Sequence, residues 1–80
     1  MSNYLKICNK EKFKRLGINI ANQRKLKGLT QIQLAEKVGI SRTHMSNIEA
    51  PNMLTPISLD VVFNIADSLE IPVELLFDFK

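Results

Sequence analysis

The sequence contains very few of the residues that build covalent, metal or catalytic sites. Cys8 is the only cysteine, so no disulfide forms within the chain, and His44 is the only histidine. One Cys and one His far apart fall short of a structural zinc site, which takes about four protein ligands. No His, Cys or carboxylate cluster recurs at catalytic spacing. We therefore expect a protein that is not an enzyme and that holds neither a metal nor another cofactor.

Long apolar runs are also missing. No run approaches the roughly 20 residues of a membrane span, and residues 1–4 do not open a signal peptide, in which a basic segment precedes an apolar one. We expect a cytoplasmic bacterial or phage protein with a reduced thiol and no membrane partner.

The length allows one small domain with a single core. The chain has 80 residues, of which 45% are hydrophobic and 24% charged, an ordinary globular composition that should fold. A domain of this size is marginally stable unless a disulfide, a metal or a partner chain supports it. With the first two excluded, a partner chain is the remaining support.

Charge is divided between the two halves of the chain. Residues 1–45 hold ten Lys and Arg against Glu11 and Glu36, a net charge of +8, whereas residues 46–80 carry a net charge of −5. Basic charge gathered in one half is typical of a surface that faces a polyanion such as nucleic acid. Charge alone leaves two alternatives open, which are binding to a membrane surface and a charged face that only contacts solvent.

Apolar spacing and capping residues predict a compact all-α fold of five helices, with no strand alternation. The predicted helices cover residues 9–27, 31–38, 42–50, 59–69 and 72–77. We interpret residues 1–12 as an N-terminal extension or the start of the first helix, and residues 13–80 as the domain.

Local signals place the ends of the short helices. Thr30 and Gln33 have the spacing of a capping box, Gly39 ends the helix that this box opens, and Ser41 caps the next helix. Pro72 at a first helical position opens the fifth helix.

Each predicted helix has an apolar side that we expect to face the core. These positions are Phe13, Leu16, Ile20 and Leu26 in the first helix, Ile32, Leu34, Ala35 and Val38 in the second, Met45 and Ile48 in the third, and Leu59, Val62, Phe63, Ala66 and Leu69 in the fourth. The segment 71–79 is more apolar than so small a core needs, and we expect part of it to meet a second subunit. Its apolar residues are Ile71, Val73, Leu75, Leu76, Phe77 and Phe79.

The third predicted helix buries only two or three residues, so it is a poor core element but well suited to contact a ligand. Its outward residues are Arg42, Thr43, Ser46 and Asn47. Arg can donate two hydrogen bonds to guanine, Asn can bond adenine through both of its polar atoms, and the Thr methyl can touch thymine. This face therefore indicates readout of base edges in a DNA major groove.

At these residues the sequence resembles the Cro and phage-repressor class of helix-turn-helix regulators, the Xre family. The matching segments are RKLKGLTQ at 24–31, LAEKVGISR at 34–42, MSNIE at 45–49, SLD at 58–60 and IA at 65–66. The resemblance covers roughly residues 16–77 and implies a lambda-repressor-like DNA-binding domain, with its helix-turn-helix motif at 30–50. Residues 42–49 would form the recognition helix.

The resemblance also implies a role for each site residue. Gln31 would bind a backbone phosphate at the N-terminus of the helix before the turn. Arg42, Thr43 and Asn47 would be the principal base readers, with Ser41 and Ser46 on adjacent phosphates or base edges. His44 neighbours this face and is a further DNA-contact candidate. Arg24 and Glu49 match a family ion pair that would orient the recognition helix more than stabilise it.

The function that follows is a sequence-specific, DNA-binding transcriptional regulator, with repression as the default. We expect a homodimer on double-stranded DNA with a pseudo-palindromic operator, associated with the nucleoid when bound. The alternative is a protein-interaction module such as the antitoxin of a toxin-antitoxin pair. A protein partner, either a toxin or a polymerase, therefore remains open beside the DNA.

Overall fold

The computed structural model describes residues 2–52 and 55–79, with side chains from residue 9 onward. Its elements are the α-helices α1 (Ser2–Leu26), α2 (Gln31–Val38), α3 (Arg42–Glu49) and α4 (Leu59–Leu69), followed by a 3₁₀ helix (Val73–Phe77). No strand occurs within these two ranges, so the predicted all-α class is confirmed.

The prediction of five helices is wrong in its last element, because Val73–Phe77 is a 3₁₀ helix and not a fifth α-helix. The Leu75 N–H donates to the carbonyl of Pro72 at 3.1 Å, a bond that spans three residues. Pro72 precedes the helix in an extended conformation (ψ 137°) and is not its first residue. Five residues without a side-chain cap are too few for a stable α-helix, and such short segments commonly take the tighter 3₁₀ form.

Helix α1 is longer than predicted, since it begins at Ser2 and not near residue 9. Residues 2–12 thus belong to α1 in the structure. The start of the domain at residue 13 stays a prediction. The helix ends as expected before Gly28, whose φ of 72° lies in the left-handed region that glycine adopts without strain.

The core-facing side of α1 differs from the prediction at both ends. Leu16 and Ile20 are buried, but Leu26 is 77% exposed and Phe13 is also exposed. At roughly 100° per residue, the residue that follows Ile20 on the same face is four positions later, not six. That residue is Arg24, which is buried in the place assigned to Leu26.

The core is built from one side of each helix, and α2 packs against both α3 and α4 while α1 crosses α3 and the 3₁₀ helix. Its buried apolar residues are Leu16, Ile20, Leu34, Ala35, Met45, Ile48, Val62, Ile65, Ala66, Leu69 and Leu76. The expectation that Ile32, Leu59 and Phe63 face the core is wrong, since all three are exposed. Ile65, which the apolar pattern left out of the helix face, is fully buried.

The predicted helix ends around the central turn are confirmed. The Gln33 N–H donates to Oγ1 of Thr30 at 3.1 Å while the Thr30 N–H donates to Oε1 of Gln33 at 2.9 Å, which closes the capping box. Gly39 has a φ of 86° and donates its N–H to the carbonyl of Ala35 at 2.8 Å. The third helix ends one residue early, with Ala50 as its C-cap.

The C-terminal segment is tied to α1 by Asn19. Its Nδ2 donates to the carbonyl oxygens of Leu76 at 3.1 Å and Asp78 at 2.8 Å. Leu76 belongs to the core, whereas Leu75 and Phe77 are exposed. Three other residues of this segment are partly buried and pack against the core: Ile71, Val73 and Phe79.

Two further observations bear on the sequence-based expectations. Met53 and Leu54, for which packing or dimer contacts are expected, lie outside the described residues. Among the helices that are described, none is both long and apolar enough to cross a bilayer.

Candidate nucleic-acid interface

Helix α3 has two opposite sides with different chemistry. At roughly 100° per residue, Met45, Ile48 and Glu49 lie together on the buried side. Arg42 and the other three outward residues fall within an arc of about 140° whose centre lies opposite Ile48. Glu49 borders this arc, since it lies two turns after Arg42 on nearly the same line of the helix. The helix therefore attaches to the core by one side and leaves the other side clear for a ligand.

The outward side carries four compact or hydrogen-bonding side chains at different depths. Arg42 and Thr43 are exposed, and Ser46 and Asn47 are half-buried toward the end of the helix. The N-terminal end of α3 is thus the most accessible part, which suits a helix that enters a groove with its first turn.

Two of the predicted DNA contacts, Ser41 and His44, do not lie at the centre of the outward side of α3. Ser41 is the N-cap of α3, and its Oγ accepts the N–H of His44 at 3.0 Å, so its hydroxyl hydrogen is what remains to donate outward. His44 is half-buried and lies about 130° from the centre of the outward side. Helix geometry therefore places His44 beside Asn47 at the edge of the outward side and far from Arg42.

An open hollow of about 440 Å³ lies where the end of α1 meets the start of α2 and the first residue of α3. Its lining includes Lys25, Gln31 and Arg42, residues that are distant in sequence. The first N–H groups of α2 lack acceptors within the helix, and together with the two cationic side chains they make this hollow attractive to an anion such as a phosphate.

Arg24 and Glu49 form a buried, two-pronged ion pair between α1 and the end of α3. Arg24 Nε donates to Oε2 of Glu49 at 2.8 Å, and Nη2 donates to Oε1 at 2.9 Å. The remaining terminal nitrogen, Nη1, donates to the carbonyl of Leu29 at 2.7 Å. One guanidinium thus joins α1, α3 and the loop that leads into α2.

Gln31 extends this pair to the hollow. Its Nε2 donates to Oε1 of Glu49 at 3.0 Å, which leaves the second hydrogen of the same amide nitrogen for another acceptor. The carboxylate of Glu49 therefore binds the side chain of Gln31, the residue predicted to bind a phosphate, as well as that of Arg24.

Sequence reasoning missed two features of this site. One is the bond between Gln31 and Glu49, which joins residues 18 positions apart and has no periodic signal. The other is Lys25, which lines the hollow but is not among the predicted DNA contacts. Its position next to Arg24, one residue before the end of the same helix, is the signal that was available.

The described residues contain no group of three or more His, Cys, Asp or Glu side chains placed to hold a metal ion. Among the side chains that line the hollow, Gln31, Lys25 and Arg42 supply hydrogen-bond donors and positive charge.

Comparison with known proteins adds the family. A helix-turn-helix family model, HTH_3, matches residues 20–76, more than half of the chain. The chain belongs to this helix-turn-helix family. The match includes the ion pair, the hollow and the whole of α3, so this helix-turn-helix protein is a DNA-binding transcription regulator of the Xre type.

A solved structure supports the same fold. The restriction-modification controller protein C.AhdI from Aeromonas hydrophila is similar to this helix-turn-helix chain, with a TM-score of 0.75 and 28% sequence identity. The similarity covers 81% of this chain and 96% of that one. A comparison with curated protein sequences finds no match.

Proposed function

We propose that this protein is a sequence-specific transcriptional regulator that binds double-stranded DNA as a homodimer and represses by occupying a promoter. The observation that carries the proposal is the outward side of α3, which is clear of the core and adjoins the basic hollow. Such a surface pairs base readout with phosphate binding, the two components of specific recognition. No catalytic step is needed.

Each candidate residue makes the kind of DNA contact that its side chain allows. Arg42 reads guanine through a forked pair of hydrogen bonds, Asn47 reads adenine, and Thr43 contacts a thymine methyl. Ser46 and Ser41 bond adjacent base edges or phosphates, and His44 at the edge of the helix is at most a phosphate contact. The second amide hydrogen of Gln31 donates to a phosphate that also accepts from the first N–H groups of α2.

Apolar surface that the core does not use supports the proposed homodimer. Leu59 and Phe63 are exposed on α4, and Leu75 and Phe77 are exposed on the 3₁₀ helix. A chain of this size is marginally stable alone, so burial of these residues against a second copy supplies support. Two copies related by a two-fold axis would present recognition helices about 34 Å, or about 10 base pairs, apart.

Phe63→Glu tests this surface, since it places a charge in the proposed interface without altering the core. We expect sedimentation to show a monomer for this variant. Asn22→Glu adds the same charge at an exposed position of α1 and should leave the dimer intact. An unchanged dimer in Phe63→Glu would contradict the assignment of the interface.

The biological setting we propose is a cytoplasmic controller of a small gene system, such as a restriction-modification operon. The support is the similarity to C.AhdI, which is a restriction-modification controller protein. A regulator of this size needs no separate sensor domain, because its own concentration and its dimerisation set the occupancy of the operator.

Selection of bound sequences from a randomised duplex library tests the function. The proposal predicts a two-fold-symmetric consensus with half-sites about 10 base pairs apart. Failure to enrich any sequence would overturn sequence-specific regulation. A stable complex with a second protein would then favour the alternative of an antitoxin-like interaction module.

A further inference from the structure

Gly17 is a point of close contact between α1 and the backbone of the recognition helix. A Cβ added at this position would overlap the carbonyl oxygen of Ile48, and it would lie 3.3 Å from the carbonyl carbon of Ile48 and 3.5 Å from Cα of Glu49. The neighbouring atoms belong to the backbone of α3, so no rotation of a side chain relieves the overlap. Gly28 and Gly39, by contrast, have no such neighbour within 4 Å.

Helix stability does not explain a glycine here. Gly17 lies in the interior of a 25-residue helix, where alanine is the better helix former by backbone entropy. The close contact with α3 is what requires the absence of a side chain.

Gly17 and Arg24 hold the same end of α3 from one face of α1. They are seven residues apart, which at 3.6 residues per turn places them on the same side of the helix about two turns apart. Gly17 contacts the backbone of Ile48 and Glu49, and Arg24 binds the carboxylate of Glu49. Two contacts along α1 determine the direction of α3 as well as the distance between the two helices.

We propose that Gly17 is a positioning residue for DNA readout, which sets the angle at which α3 presents its base-reading side. The inference rests on the proposed function. A side chain at Gly17 displaces the C-terminal end of α3, while the N-terminal end stays fixed by the turn at Gly39 and the Ser41 cap. The helix tilts, and forked hydrogen bonds to base edges are lost because their geometry is narrow. Contacts of flexible lysines with phosphates tolerate the same movement.

Gly17→Ala is the variant that tests this. We measure its dissociation constant for the operator selected by the wild type and for a duplex of random sequence, at matched salt and with the folded fraction measured by circular dichroism. The ratio of specific to non-specific affinity should fall by about 5- to 150-fold, the value of one good base contact, while non-specific affinity stays within about twofold.

Two matched controls separate positioning from general destabilisation. Asn22→Ala changes an exposed residue of α1 and raises helix propensity without touching α3, and Ile65→Val removes one methylene from the core within α4. Both should keep the wild-type specificity ratio. The Arg24 side-chain Nε–H signal in NMR should shift in Gly17→Ala and stay in place in the two controls, with no DNA present.

Each outcome decides the question. An unchanged specificity ratio in folded Gly17→Ala overturns the proposal, and so does an equal loss on both duplexes in proportion to the folded fraction. If the single variant is unstable, Gly17→Ala is measured in the Asn22→Ala background. Failure to fold there also overturns the proposal, because Gly17 would then serve the whole core. A wild type with no preferred sequence would instead refute the proposed function, and it is measured first.

Discussion

Removal of the Glu49 carboxylate probes the buried network more sharply than any other single change. Glu49→Ala deletes the acceptor of three N–H donors, two from Arg24 at 2.8 and 2.9 Å and one from Gln31 at 3.0 Å. Arg24 is only 9% exposed and would keep its charge in the protein interior, with the carbonyl of Leu29 as its remaining partner. The desolvation cost of that charge would no longer be offset.

The expected loss is large for so small a domain. Loss of one partner of a buried ion pair costs about 3 to 5 kcal/mol. A domain of 80 residues has a total unfolding free energy of about 4 to 12 kcal/mol, so Glu49→Ala should lose roughly a quarter of it or more. Urea denaturation followed by circular dichroism should show a lower midpoint, with a slope that is unchanged as long as unfolding stays two-state.

The chain supplies a matched control for this prediction. Glu11 pairs with Arg15 at 3.1 Å on the surface of α1, where both side chains are about half exposed. Glu11→Ala removes the same kind of pair and should cost less than about 1 kcal/mol. Equal losses from Glu49→Ala and Glu11→Ala would refute the reasoning, since burial would then add nothing. Replacement of the buried pair by Arg24→Met and Glu49→Leu together should restore most of the stability, because no charge is left unpaired.

Three further predictions concern DNA binding and the capping box of α2. Gln31→Ala should weaken binding to all duplex sequences alike, because phosphate contacts carry no sequence information. Gel shifts on the selected operator and on a random duplex measure this loss, and a change of consensus would contradict the role. Thr30→Ala opens the capping box and should lower the unfolding free energy in urea by about 1 kcal/mol, whereas no loss would show that the cap is unimportant. If each protomer neutralises about four phosphates, log affinity should fall against log salt with a slope near −7, and a slope shallower than about −2 would argue against binding of this kind.

Local signals in the sequence predict the central part of the fold well. Thr30, Gln33, Gly39 and Ser41 each determine a helix end through their own backbone or a bond three residues away, so short-range rules suffice. The bounds of α2 follow from such caps and match the structure, and the bounds predicted for α4 match as well. The outward side of α3 also follows from spacing alone, because helical periodicity determines which residues share a side.

Features that depend on neighbours distant in sequence were not predictable in this way. Leu26 seemed a core residue because it is apolar, yet the core position belongs to Arg24, whose charge is acceptable there only because Glu49 lies opposite. Phe13 lies on the correct side of α1 but is exposed, in a groove formed with Phe77 and Phe79. The contact of Gly17 with α3 likewise depends on how two helices cross, which no local pattern specifies.

The central claim is that the outward side of α3 reads bases, and Arg42→Ala tests it most directly. Wild type and variant are taken in parallel through selection from a randomised duplex library at near-physiological salt. Arg15→Ala, which removes an exposed arginine of α1 outside the motif, serves as the control and should keep the wild-type consensus. We predict that Arg42→Ala loses its preference at one position in each half-site, at a cost of about 1 to 3 kcal/mol for that base pair. An unaltered consensus, or an equal loss of affinity for every sequence, would contradict the assignment of α3 as the reading helix.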